Sequence, residues 1–275
     1  MCPAGPGTIA APRRRGQQAY VEESSGYGGF LPLTTVEPSM PSPLEFAVAT
    51  LIMAVGSAFQ AAVGLGLALL VVPFLALIDT RFVPGPMLFA GIALTAATAY
   101  RDRGEIDRAI LGLSFIGLAI GTGIGAVALK LVARAYLPKL FGALILLAVL
   151  VSVASPKFAA TPRALLAGAT VSGIMGTMVG VHGPAIALVL QNREPAQVRA
   201  TLGAFFAVGY VMAVASLAVV GLFGWDELVL GTALLPGVGI GYLVAPAISK
   251  FINTTILRIA ILVVSSVSAV GLLFR

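Results

Sequence analysis

The chain has 275 residues, of which 59% are apolar and 10% charged, and its mean hydropathy is +1.02. A soluble domain of that composition would have no polar surface to present to water, so membrane lipids are the first partner implied. The net charge of +6 comes from cations spread over short loops and a tail without interleaved aromatics, which argues against a nucleic-acid surface.

Residues 1–43 scatter Pro, Gly and Ser among Arg13, Arg14, Arg15, Glu22 and Glu23 with no periodic apolar face, the composition of a disordered tail. Gly16 to Gly29 offers no apolar core for a secretory signal, so the first membrane helix is expected to direct insertion itself. Met40, just before Pro41, is an alternative start. Cys2 is the lone cysteine, which leaves no disulfide framework and no cysteine metal cluster.

The first apolar run, Phe46 to Ile78, carries no charge. As one helix it would span about 50 Å, well beyond the roughly 30 Å hydrocarbon core. Further runs follow at Pro84 to Tyr100, Ala109 to Leu129, Leu140 to Ala154, Ala164 to Leu190, Ala200 to Phe223, Leu228 to Ser249 and Ile259 to Phe274. Their Leu, Ala, Val, Ile and Gly content lacks the alternation of barrel strands, so the expected fold class is all-α, multi-pass and membrane-spanning. All the acids fall outside these runs, as the cost of a lone charge in lipid requires.

Eight segments divide into a first membrane repeat, 44–155, and a second, 156–275. The duplication shows as Gly121-Thr122-Gly123-Ile124-Gly125 and, 116 residues on, Gly237-Val238-Gly239-Ile240-Gly241. Gly121 and Gly125, like Gly237 and Gly241, sit four apart on one helix face, the small-residue spacing that packs membrane helices together. No strand or following acid supports a dinucleotide-binding reading. At the same offset, Gly64 and Gly66 break the first long run, and Gly180, His182, Gly183 and Pro184 break the fifth. Either each broken run crosses with a kink, giving parallel repeats, or each dips in and returns, giving three crossings per half and inverted repeats. Eight kinked crossings is the expectation adopted here.

A helix broken inside a membrane presents unpaired N–H groups and a positive dipole end, which can hold an anion without a cationic side chain. Glycine at Gly64, Gly66, Gly180 and Gly183 permits φ > 0 and close approach, and Pro184 suits the first turn of a resumed helix. Gln60, one turn before the first break, and His182 in the second are the polar side chains placed to join them. These seven residues form the candidate substrate site; the alternative for the glycines is helix packing alone. With no intramembrane carboxylate, one histidine and no Walker loop, the chain has no catalytic or metal-ligand set and no built-in ATP drive, so no enzyme activity and no cofactor are expected.

The two repeats, each opening on a glycine-broken helix (Gly56 to Gly66 followed by Pro73, then Gly173 to Pro184), resemble the TauE/SafE sulfite exporter family over residues 45–275. The resemblance implies a permease of the cell inner membrane that moves sulfite, a sulfonate or a related small anion, often outward, by secondary transport. The first break here reads Gly64-Leu65-Gly66-Leu67 where the family usually runs Gly-Gly, and His182 stands where glycine is common. A passive pore for a small solute and a membrane scaffold are the alternatives, and homo-oligomerisation stays open.

Overall fold

The computed structural model describes residues 40–64, 67–153, 160–249 and 254–274, so Gly66 and nearly all of the predicted tail lie outside the described residues. Among the described residues the regular structure is helical: α1 (Pro43–Val63), α2 (Leu67–Ile78), α3 (Gly85–Arg101), α4 (Arg108–Lys130), α5 (Leu137–Val153), α6 (Pro162–Val179), α7 (Gly183–Leu190), α8 (Pro195–Val219), α9 (Trp225–Ser249) and α10 (Thr254–Leu273), with short 3₁₀ turns between some of them.

Local chemistry sets the ends. Ser42 and Glu45 close a reciprocal capping box at the start of α1. Asp107 caps α4 by accepting from the N–H groups of Ala109 and Ile110 at 3.1 Å, and Thr161 caps α6 by accepting from Ala164. α1 and α6 both end on a left-handed glycine. Gly64 has φ +87° and donates its N–H to the Gln60 carbonyl at 2.7 Å, while Gly180 has φ +83° and donates to the Gly176 carbonyl at 2.8 Å.

Beyond each glycine the chain turns back along the helix it has just left. A Cβ at Gly56 would strike Val71 and come within 2.9 Å of Leu67, so α2 lies on α1. A Cβ at Gly168 would lie 2.9 Å from Val189, and Ile186 N–H donates to Ser172 Oγ at 3.1 Å, so α7 lies on α6. The long broken runs are therefore hairpins where kinked crossings were expected. The cause is the type of breaker: a helix can continue through a proline, as it does at Pro73, Pro236 and Pro246 here, whereas a left-handed C-cap reverses the chain.

Glycine also sets which helices touch. On α4, Gly117 faces the Leu166 carbonyl, Gly121 that of Thr170, and Gly125 that of Ile174 at 2.8 Å from where its Cβ would stand. The four-residue steps advance together, so α4 and α6 run parallel in close contact. On α9, Gly237 and Gly241 meet the carbonyls of Thr50 and Ala54 in the same way, and α9 runs parallel to α1. α3 packs between α8 and α9. The opposite faces carry large apolar side chains in the open: Ile116, Ile120, Ile124 and Val127 on α4, and Ile240, Leu243 and Val244 on α9. In water such faces would be costly; against lipid tails they are the natural exterior. Five helices (α1, α5 with its preceding turn, α4, α8 and α9) are long and apolar enough to cross a membrane.

Because Gly121 and Gly237 oppose backbone while Gly123 and Gly239 have nothing within 4 Å of a built Cβ, Gly121→Leu and Gly237→Leu should each destabilise by about 1–3 kcal/mol, the usual cost of overpacking. Gly123→Leu should stay within about 0.5 kcal/mol of the parent. Thermal melts of the detergent-purified protein followed by size-exclusion fluorescence test the difference.

Candidate functional site

A cavity of about 580 Å³ opens among the ends of α1 and α5, the α6–α7 hairpin and the starts of α2, α8 and α10. Its wall on α8 is a helical stripe, Pro195, Val198, Arg199, Leu202, Phe206 and Tyr210. Fifteen residues separate the ends of that stripe, so the cavity runs about 22 Å along the helix, from its first turn toward its middle.

The floor is built around His182, which is 1% exposed. Its ring fits a slot that two glycines keep open: a Cβ at Gly176 would overlap the ring, and one at Gly209 would lie 3.0 Å from Cδ2. Tyr210 covers another side, with ring centroids 5.1 Å apart, and Phe206 stacks on Tyr210 at 6.5 Å. The backbones of Gly180 and Gly209 are close to the imidazole, yet neither Nδ1 nor Nε2 reaches a partner in hydrogen-bond geometry. A buried histidine with both nitrogens unpaired is expensive unless something else, a ligand or water in the cavity, completes it.

Beside the floor, the start of α7 brings Gly183 and Pro184 to the cavity. Pro184 has no N–H to offer, and the Ile186 N–H is taken by Ser172, which leaves the N–H groups of Gly183 and Ala185 as first-turn donors, Gly183 being the one at the cavity wall. Gln60 also lines the cavity, and its Oε1 accepts from Leu67 N–H at 3.1 Å, capping the start of α2 across the first break.

Of the seven candidate residues, Gln60, His182, Gly183 and Pro184 thus come together at one cavity, and Gly66 is not described. Gly64 and Gly180 stand behind the wall. Gly64 faces the aliphatic stem of Arg199, whose Cδ would lie 3.1 Å from a built Cβ; Gly180 faces Met87 Cε at 2.8 Å. They close α1 and α6 and leave room for those side chains.

The mouth carries groups absent from the sequence reading: Arg193, Arg199 and Arg258 line it, and no carboxylate does among the described residues. Arg258 Nη2 donates to the Ser152 carbonyl at 2.7 Å. Arg199 Nε donates to Asp102 Oδ2 at 3.2 Å, and the same carboxylate takes Arg101 in a two-point pair at 2.9 and 3.1 Å. Arg199 and Arg258 each stand one residue before an expected apolar run, and α8 and α10 begin earlier than those runs, which places both cations one turn inside their helices, lining the cavity. The sequence signal available was that adjacency.

A model of the sulfite exporter TauE/SafE family matches residues 48–272. The chain belongs to the TauE/SafE family. It is an integral membrane protein, as the family, the composition and the apolar helix exteriors together require. Among curated proteins and among solved structures nothing matches significantly.

In this TauE/SafE protein the Asp102 carboxyl is held below the ordinary carboxylate range, first by its hydrogen bonds from Arg101 and then by the charges of Arg101 and Arg199, against partial burial that acts the other way. A carboxyl depressed on folding stabilises the fold above its unfolded pKa of about 3.9, and that contribution is lost as pH falls through the lower folded value. The melting temperature of the parent relative to Asp102→Asn should therefore hold steady from about pH 8 to pH 5 and drop as pH goes below about 4. A gap that instead changes near neutral pH would assign the dependence to another group.

Proposed function

We propose that this chain is a secondary transporter that carries a small oxyanion or sulfonate across the inner membrane, outward, and that the cavity above His182 is its substrate site. The observation that carries the reading is the match of chemistry to place: three arginines and, among the described residues, no carboxylate at the mouth, then at the floor a buried imidazole that makes no hydrogen bond within the protein. A small anion entering there meets cations first and donors last, and membership of a sulfite exporter family points to the same cargo class.

The topology that best supports carrier action is a pair of inverted repeats. Each half has five helices, α1–α5 and α6–α10, and up-down alternation over an odd number turns the second half upside down. The parallel pairs α1 with α9 and α4 with α6 agree with that alternation. Each half then contributes one hairpin and three crossings, with the hairpin tips beside the site, an arrangement in which one half can rock against the other. Behind the floor, Leu118 lies against Gly209 and Met87 against Gly180, which favours a site served from one side at a time over a continuous pore. We read the protein as a carrier and not an enzyme.

Reconstituted in liposomes, the protein should give saturable, gradient-dependent sulfite flux; flux linear in concentration would favour a pore, and none in well-folded protein a scaffold. His182→Leu keeps the bulk and removes the donors, and should raise the apparent KM about tenfold or more, the loss expected for a hydrogen bond to a charged group. Parent-like flux in that variant would remove His182 from the site. Gly180→Val should insert but transport poorly, because a β-branched residue resists φ +83° and would press on Met87.

A further inference from the structure

We propose that Arg199 is the anion-selecting residue of this transporter and that Asp102 is its positioning residue, holding the guanidinium side-on so that its two amino groups face the cargo; the inference rests on the anion-carrier reading above.

The geometry divides the arginine into three parts with separate tasks. Its aliphatic stem lies over Gly64, where a Cβ would overlap Cγ and crowd Cβ at 3.2 Å. Its Nε is occupied by Asp102 Oδ2 at 3.2 Å. Nη1 and Nη2 make no hydrogen bond among the described residues, and Arg199 lines the cavity one turn inside α8. A guanidinium held at the stem and at Nε has little rotational freedom left, and its outer edge is the fork that matches two oxygens of a sulfite or sulfonate group. Ordering it before the anion arrives removes an entropy cost from binding.

Asp102 suits the holding role because it does not need Arg199 for its own neutralisation. Arg101 already pairs with both of its oxygens at 2.9 and 3.1 Å. The group of Arg101, Asp102 and Arg199 therefore carries a net charge of +1, and Arg199 keeps its attraction for an incoming anion. The segment that bears Asp102 is fixed on α8 at a second point, where Asp107 N–H donates to Thr201 Oγ1 at 3.0 Å. That second tie holds Asp102 in register with Arg199. Arg258, by contrast, spends an amino group on the Ser152 carbonyl, and it is the less complete fork of the two.

The test is sulfite, sulfate and sulfoacetate flux in proteoliposomes of the full chain, with KM and maximal rate resolved for the parent, Arg199→Gln, Arg199→Lys, Asp102→Asn and the Arg199→Gln/Asp102→Asn double variant. Arg199→Gln should raise KM about tenfold or more. Arg199→Lys, a point charge without the fork, should recover only part of that loss. Asp102→Asn should raise KM about three- to tenfold with the maximal rate little changed, and should add nothing in the Arg199→Gln background, because its effect passes through Arg199. A fall in KM for Asp102→Asn would make Asp102 a competitor of the anion and overturn the positioning role. An equal rise in both backgrounds would show that Asp102 acts elsewhere and overturn it too. Saturable parent flux with unchanged KM in Arg199→Gln would overturn the selecting role alone, whereas absence of saturable flux in the parent for all three anions would overturn the carrier reading itself.

Discussion

Backbone polar groups have no water to turn to in the hydrocarbon core, and the architecture of this protein follows from how it breaks two helices under that constraint. Each break ends on a glycine that returns its N–H to the turn before it, Gly64 to Gln60 and Gly180 to Gly176. Each restart is then met by a side chain from the helix just left: Gln60 caps α2 through Leu67, and Ser172 caps α7 through Ile186. The two hairpins are thus closed by the same logic with different residues. Among the described residues, the hydroxyls of Ser57, Ser114 and Thr177 and the two nitrogens of His182 are buried without a protein partner, and of these only His182 lines the cavity.

Placing the breaks in the interior depends on backbone-to-backbone contact elsewhere. Lipid tails are as apolar as leucine, so helices here gain little from hiding apolar surface and must associate through close packing. Gly117, Gly121 and Gly125 let α4 ride on the carbonyls of α6, and Gly237 and Gly241 let α9 ride on α1. These contacts bind the first helix of each hairpin to a helix of the other half. Motion of one half against the other would therefore have to pass through glycine-lined interfaces where helix backbones lie in direct contact.

Electrostatics then separates the mouth from the floor. Charges are affordable at the ends of α3, α8 and α10, where Arg101, Asp102, Arg199 and Arg258 find partners, and not at mid-helix, where the described polar groups are neutral hydroxyls, Gln60 and His182. An anion drawn by the arginines would leave strong, exposed cations for a buried site whose donors are an imidazole and the start of α7. Progress along such a path needs modest affinity at each stage, and a mouth with net positive charge followed by a neutral floor has that character.

The all-helical membrane fold was legible in the sequence because composition alone excludes a wet surface and because the run boundaries are marked by charge and proline. Helix ends were read to within a few residues at most positions, and the glycine spacing on α4 and α9 announced close packing without saying against which helix. Direction at the breaks was not legible, since run length is the same for a kinked crossing and a hairpin, and the choice lies in φ at Gly64 and Gly180. Likewise Gln60, His182, Gly183 and Pro184 could be singled out as polar or helix-starting residues in apolar runs, but Arg193, Arg199, Arg258 and Tyr210 could not, being separated from them by 9 to 198 residues of chain. What the sequence by itself determined is what depends on local free energy: which segments enter lipid, where helices must stop, and which faces are smooth. Which groups share one cavity was decided only by the tertiary structure, because the packing of α4 on α6 and α9 on α1, and the return of α2 and α7, bring distant residues to a common depth that no spacing along the chain encodes.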